Sequence, residues 1–149
     1  MMTDVVTDEL HQTIKARLLA AGQRYTHQRR QLVEILAGSG NPVTIPEILQ
    51  GRGLAQSSVY RNLADLERAS VVRRLVTDEE YGRYELSEDL TEHHHHVICS
   101  SCGTVQDLPM PADFERRLEQ TLDRRARSVG FAEVSHRLDL IGLCSSCAH

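Results

Sequence analysis

Apolar residues recur at three- and four-residue spacing near the start of the chain, at Leu10, Ile14, Leu18 and Leu19, and Gly22 ends the run. This spacing predicts a first helix. Thr26 is placed to cap a second helix over 27–37, with Leu32, Val33, Ile35 and Leu36 inward and Gly38-Ser39-Gly40-Asn41-Pro42 as its stop. Thr44 is placed to cap a short third helix over 45–50, where Pro46 falls in the first turn and its missing N–H costs nothing. A fourth helix is expected from Ser57 or Ser58 to about Ala69. It would turn Val59, Leu63 and Leu66 to a core and expose Gln56, Ser57, Tyr60, Arg61 and Asn62. Strands over 71–77 and 83–87 follow, joined by the acidic turn Asp78-Glu79-Glu80-Tyr81-Gly82. Helices followed by a hairpin, with a short turn before the last helix, read as a winged helix-turn-helix.

Residues 88–92 are polar and aperiodic, which places a hinge there. Beyond it the pattern predicts strands over 94–98 and 104–108, a Pro109-Met110-Pro111 break, a helix over 112–129 and a strand over 134–142. The fold class is therefore α+β: a winged helix-turn-helix over 1–87, then a small α/β unit over 93–149. At 149 residues, two units leave each with a thin core, so something besides apolar packing is expected to hold the second one.

The net charge of −4 is unevenly spread. Between Gly22 and Val76 eight Arg face four acids, whereas from Ser87 onward six Arg face ten acids. A basic segment inside an acidic chain is the footprint of a phosphate-backbone binder. No apolar run approaches the roughly 18 residues that cross a bilayer, and the start of the chain is neither basic nor hydrophobic, so a cytoplasmic protein without a membrane partner is expected.

Four cysteines form two C-x-x-C pairs, Cys99/Cys102 and Cys144/Cys147, each at the end of an expected strand and beside a glycine. Four thiolates from two such knuckles suit a tetrahedral Zn2+, and with every position taken the site would be structural. Disulfides or a redox dithiol are the competing readings. A redox C-x-x-C normally opens a helix, and both pairs here follow strands.

The run His93-His94-His95-His96 leads into the first knuckle. In an extended chain alternate side chains share a face, so His94 and His96 can serve one site and His93 and His95 another. For the His94/His96 face the nearest carboxylates are Asp107 and Glu85, the latter just before the hinge. For the His93/His95 face the last strand offers His136 and the covering helix offers Glu115 and Glu119, four residues apart on one face. An exposed cluster without a role, or an expression tag, is the bland alternative, but tags sit at termini and this run is internal.

Arg24-Tyr-Thr-His-Gln-Arg29, Ser58-Val-Tyr-Arg-Asn-Leu63, His93 through Gly103 and Gly142-Leu-Cys-Ser-Ser-Cys147 together resemble the signatures of the ferric uptake regulator family. The resemblance implies a homodimeric repressor with a winged helix, a dimerisation domain, a four-cysteine zinc site and one or two regulatory metal sites. It assigns the hinge site to Glu85, His94, His96 and Asp107, and the second site to His93, His95, a helix glutamate and His136. Counting back from Gly130 favours Glu119 as that glutamate, with Glu115 the alternative. It places Tyr60 and Arg61 on the helix that meets DNA and Arg24 in the stretch near backbone or minor groove.

The chain departs from the pattern where many members carry a hinge-site histidine, since Pro42 stands there, preceded by Asn41. The peroxide-sensing branch oxidises that histidine, so a peroxide response is not expected. The resulting expectation is a metal-responsive repressor of a double-stranded DNA operator, with Fe2+ or Zn2+ as corepressor and Mn2+ or Ni2+ also compatible with the donors. Arg24, Arg30 and Arg61 would supply backbone affinity, and Tyr60 with Ser57 would touch base edges. The alternatives are a constitutive zinc-stabilised DNA-binding dimer and a zinc metalloenzyme. No small organic substrate and no catalytic residue is expected.

Overall fold

The computed structural model describes residues 7–76, 82–91 and 93–148. Its elements are α1 (Asp8–Ala20), α2 (His27–Ser39), β1 (Val43–Thr44), α3 (Ile45–Leu49), α4 (Gln56–Arg68), β2 (Val72–Leu75), β3 (Arg83–Leu86), a 3-10 turn (Glu88–Leu90), β4 (His95–Cys99), β5 (Val105–Leu108), α5 (Ala112–Ser128) and β6 (Asp139–Gly142). The hairpin turn expected at 78–82 lies, apart from Gly82, outside the described residues, as does Glu92 of the expected hinge.

The caps explain three of the helix starts. Thr7, Thr26 and Thr44 each take extended backbone and accept the N–H three residues on, from Leu10, Arg29 and Glu47, satisfying a donor that the first turn leaves without a partner. The fourth helix departs from expectation. It begins at Gln56 after Ala55, with no side-chain cap, so neither Ser57 nor Ser58 initiates it.

Helices α1 to α4 close over one core built from Ile14, Leu18, Leu32, Val33, Leu36, Ile48, Val59, Leu63 and Leu66, with Val71, Val72 and Leu86 from the hairpin. Leu19, expected on the inner stripe of α1, is instead 73% exposed. The hairpin is antiparallel, Val72 opposite Leu86 and Leu75 opposite Arg83. The two-residue strand β1, absent from the sequence pattern because it is so short, adds to its other edge to give the order β1-β3-β2. This is the winged helix-turn-helix.

The second sheet has the order β5-β4-β6, with β5 antiparallel and β6 parallel to the central β4. The last strand spans four residues rather than the nine expected, since β6 finds partners on β4 only from His96 to Cys99. Residues upstream of Asp139 leave the sheet. Helix α5 has no buried residue among those described, and β6 is exposed throughout. The buried positions of this half are His95, His96, Cys99, Gly103 and Val105. Its interior is therefore mostly ligand-type side chains rather than hydrocarbon.

Candidate metal centres and nucleic-acid interface

Three groups of ligand atoms gather in the second half and at its junction with the winged helix, and within each group the atoms lie within 4.8 Å of one another. The first is Cys99, Cys102, Cys144 and Cys147. Cys99 ends β4, and the turn after it is closed by the Gly103 N–H bonding to the Cys99 carbonyl at 2.9 Å. Gly103 has φ of 76°, a left-handed conformation that a side chain disfavours, which gives the glycine beside the knuckle its purpose. The parallel pairing of β6 on β4 brings the second knuckle alongside, with the Sγ atoms of Cys102 and Cys144 3.8 Å apart.

All four cysteines are free thiols, so no disulfide joins them. Backbone N–H groups of Cys102 and Cys144 point at the Cys99 sulfur, and these donors pull its thiol down to about 6. A thiolate surrounded by three more sulfurs, with no counter-cation among the described residues of the cluster, fits a tetrahedral divalent ion.

The second group is Glu85, His94, His96 and Asp107. Glu85 lies in β3 of the winged unit, His96 in β4 and Asp107 in β5 directly opposite His96, so the cluster spans the junction. Both His94 Nε2 and His96 Nε2 stand 3.1 Å from Glu85 Oε2 and 3.6 Å from Asp107 Oδ1. Burial opposes ionisation of Glu85, but hydrogen bonds from His96, Arg73 and His94 outweigh it and hold the carboxyl at about 2. Asp107 is shifted up, chiefly by burial. Its Oδ1 is buried with no hydrogen-bond partner, facing two imidazoles just beyond bonding reach. A buried, unpartnered carboxylate oxygen is costly, and a cation among these four donors removes that cost.

Two groups around this cluster escaped sequence reasoning. Arg73 Nε donates to Glu85 Oε1 at 3.1 Å, leaving Oε2 for the imidazoles, and Asp139 Oδ1 lies 3.4 Å from His96 Nδ1, on the far side of the ring from the site. Outer carboxylates of this kind fix the tautomer of a ligating histidine. Cross-strand pairing of Arg73 with Glu85 and of His96 with Asp139 produces both contacts, and the residue types alone do not reveal it.

The third group is His93, His95, Glu115 and His136. Glu115 Oε2 is 2.8 Å from His95 Nε2, and Glu115 Oε1 is 2.6 Å from His93 Nε2 and 2.7 Å from His136 Nε2. The geometry corrects the preference for Glu119. The Pro109-Met110-Pro111 break precedes α5, whose first turn carries Glu115 to the histidines. Glu119 lies about 6 Å further along the axis, lining a cleft with Glu88, His93 and His136. His136 arrives from the irregular stretch before β6 rather than from the last strand, where it was expected.

Among the DNA-contact candidates, Ser57, Tyr60 and Arg61 are exposed on α4, Arg30 is exposed on α2, and Arg24 is exposed in the loop before α2. Asn62, expected beside them at the surface, is buried. Its Oδ1 accepts from Arg29 Nε at 3.2 Å, and its Nδ2 donates to Gln28 Oε1 at 3.2 Å. Arg29 also pairs with Asp65 at 2.7 Å and donates to the Arg24 carbonyl at 2.6 Å. This buried network ties the Arg24 loop and α2 to α4, and so links the segments that carry the exposed candidates.

A winged helix joined to a sheet rich in metal donors defines a class of metal-binding, DNA-binding transcription regulators. The ferric uptake regulator family model matches residues 20–141, and the chain belongs to that family. It is similar to the peroxide-responsive repressor PerR of Staphylococcus aureus, 28% identical over 95% of this chain and 93% of that protein. The ferric uptake regulator Fur of Helicobacter pylori, whose structure is described as revealing three functional metal binding sites, aligns with TM-score 0.72 and 25% identity, covering 99% of this chain and 97% of that one. A zinc-bound manganese uptake regulator aligns with TM-score 0.61 and 31% identity over 89% of this chain and 98% of its own. Members of the family are regulators rather than enzymes. No described helix is long and apolar enough to cross a membrane.

Proposed function

We propose that this chain is a homodimeric, metal-responsive repressor that binds a double-stranded DNA operator. In this reading residues 1–87 form the reading head, 88–92 the hinge and 93–149 the dimerisation unit. The observation that carries it is Glu85, a residue of the winged unit, sharing one carboxylate oxygen with His94 and His96 of the other half. A ligand set drawn from both sides of a joint makes occupancy and joint angle a single equilibrium.

Zn2+ is the ion for the four cysteines, where it would be structural. Fe2+ or Zn2+ is the corepressor we assign to Glu85, His94, His96 and Asp107, with Mn2+ or Ni2+ compatible with the same nitrogen and oxygen donors. A bound divalent ion supplies positive charge that pulls the two carboxylates and two imidazoles together. The chain's own residues do the rest. Arg73 and Asp139 hold Glu85 and His96 in orientation, and the Asp107 N–H donates to Asn41 Oδ1 at 3.0 Å, a direct link back to the winged unit. Asn41 and the buried Pro42 supply no imidazole, which favours a response to metal supply over the peroxide response named for the staphylococcal relative.

Only one separation of two reading heads matches two half-sites on DNA. Arg24, Arg30 and Arg61 would give salt-dependent backbone contacts, and Ser57 and Tyr60 base-edge contacts. The second copy is inferred from exposed apolar groups on α5 and around β6, including Phe114, Leu122, Leu140, Ile141 and Leu143.

The test is DNA affinity with and without metal, using duplex enriched from a random pool by the loaded protein. Metal should tighten binding by roughly 5- to 150-fold, the range of typical allosteric coupling. His96→Ala should lose that response while keeping its thiolate zinc and its fold. A His96→Ala protein with full metal response overturns the hinge assignment. Equal affinity before and after chelation, at constant thiolate zinc, establishes a constitutive binder instead.

A further inference from the structure

Three consecutive residues of the 3-10 turn reach three different partners. Leu90 packs against the apolar core of the winged unit. Asp89 pairs with Arg17 of α1, whose Nη1 lies 3.2 Å from Asp89 Oδ1 and also donates to the Ser70 carbonyl at 2.9 Å, just past the end of α4. Glu88 turns the other way and contacts Nδ1 of His93, a member of the third cluster. Two backbone bonds brace the turn, from Leu90 N–H to the Ser87 carbonyl and from Thr91 N–H to the Glu88 carbonyl.

The position of Glu88 identifies its role. His93 directs Nε2 at Glu115 and stands 3.3 Å from His136 Nε2, so the ligand nitrogen is the one away from Glu88. A carboxylate on the opposite ring nitrogen cannot share the ion. It accepts a hydrogen bond from Nδ1–H and so leaves the Nε2 lone pair free for a metal. A cation on Nε2 in turn makes Nδ1–H a better donor, which strengthens the bond to Glu88.

We propose that Glu88 is the outer-sphere carboxylate of the His93, His95, Glu115 and His136 site, and that through Asp89 and Arg17 it makes this site a second metal input to the winged helix. The path runs from His93 to Glu88, along the braced turn to Asp89, and through Arg17 to the end of α4. The hinge is then addressed by two clusters: one grips Glu85 directly, the other holds the turn that follows it. The proposal rests on the reading of the third cluster as a metal centre, and it adds a residue and a route that this reading does not contain.

The experiment uses the full chain with thiolate zinc in place and His96→Ala to silence the hinge cluster. Co2+ affinity is measured by competition with a chelator, and backbone amide exchange is followed with and without Co2+. Glu88→Ala should weaken Co2+ binding by about 10- to 100-fold, and Glu88→Gln, which keeps an acceptor without its charge, should fall between. In the parent, Co2+ should slow exchange at 88–91 and in α1. Glu88→Ala should abolish that slowing even at saturating Co2+, whereas Arg17→Gln should abolish it in α1 alone.

Parental Co2+ affinity in Glu88→Ala overturns the outer-sphere role, and unchanged exchange at 88–91 in the loaded parent overturns the route. Should Glu88→Ala lose its thiolate zinc and fold, Glu88→Gln carries the test, and parental affinity there overturns the proposal. A parent that takes up no Co2+ refutes the metal-centre reading itself, and the proposal falls with it.

Discussion

Arg29 is a charged side chain only 8% exposed, one of several buried polar residues beside the hydrocarbon core of the winged unit. Asp65, Asn62 and the Arg24 carbonyl satisfy it from three sides, as a buried guanidinium requires. Removing it strands Asp65 beside a single exposed partner, Arg68. Arg29→Met is therefore expected to destabilise the protein by about 3 kcal/mol, the scale of breaking a buried ion pair. Urea unfolding checks this, and a midpoint equal to wild type would show that the network adds nothing. The same pairing explains a misreading of the helix face. Asn62 looks like a surface residue by type, and only the arrival of Arg29 from α2 gives its amide a buried partner.

At the scale of elements, the parity of β4 does most of the sorting. His94 and His96 gather with Glu85 on one face of the histidine run, and His93 and His95 gather with Glu115 on the other, as alternation of an extended chain requires. The two knuckles are less independent than their separation in sequence suggests, since the Cys144 N–H points at the Cys99 sulfur and the Ser100 N–H donates to the Gly142 carbonyl at 2.8 Å. With so little buried hydrocarbon beneath β4 to β6, an ion held by the four thiolates would supply folding energy for this sheet. Cys99→Ser should lose about one zinc per chain, and amide protection of β4 and β6 should go with it. A variant that keeps both its zinc and its protection would remove the structural role assigned to the cluster.

For the molecule as a whole, the exposed residues are as informative as the core. Ile141 is 74% exposed on a strand that is exposed throughout, and Leu140, Leu143, Phe131 and Val129 are exposed in the same half. A lone chain rarely leaves such a surface in water. Ile141→Asp should shift the protein toward monomer in sedimentation velocity and reduce DNA affinity with it, because one reading head engages only one half-site. An unchanged dimer mass would place the subunit contact elsewhere.

Local periodicity, capping residues and cysteine spacing were enough to establish the winged helix-turn-helix, the positions of most helices, both knuckles and the two-faced histidine run. These are short-range properties: a helix stripe, a Thr cap or a C-x-x-C pair depends on neighbours within a turn or two. Tertiary structure decided what depends on distant partners. It selected Glu115 over Glu119 by bringing the first turn of α5 to the histidines. It cut β6 to four residues, paired with His96 to Cys99 of β4, and it buried Asn62 and set Glu88 against His93. Each of these outcomes rests on which remote backbone lies alongside, and periodicity carries no information about that.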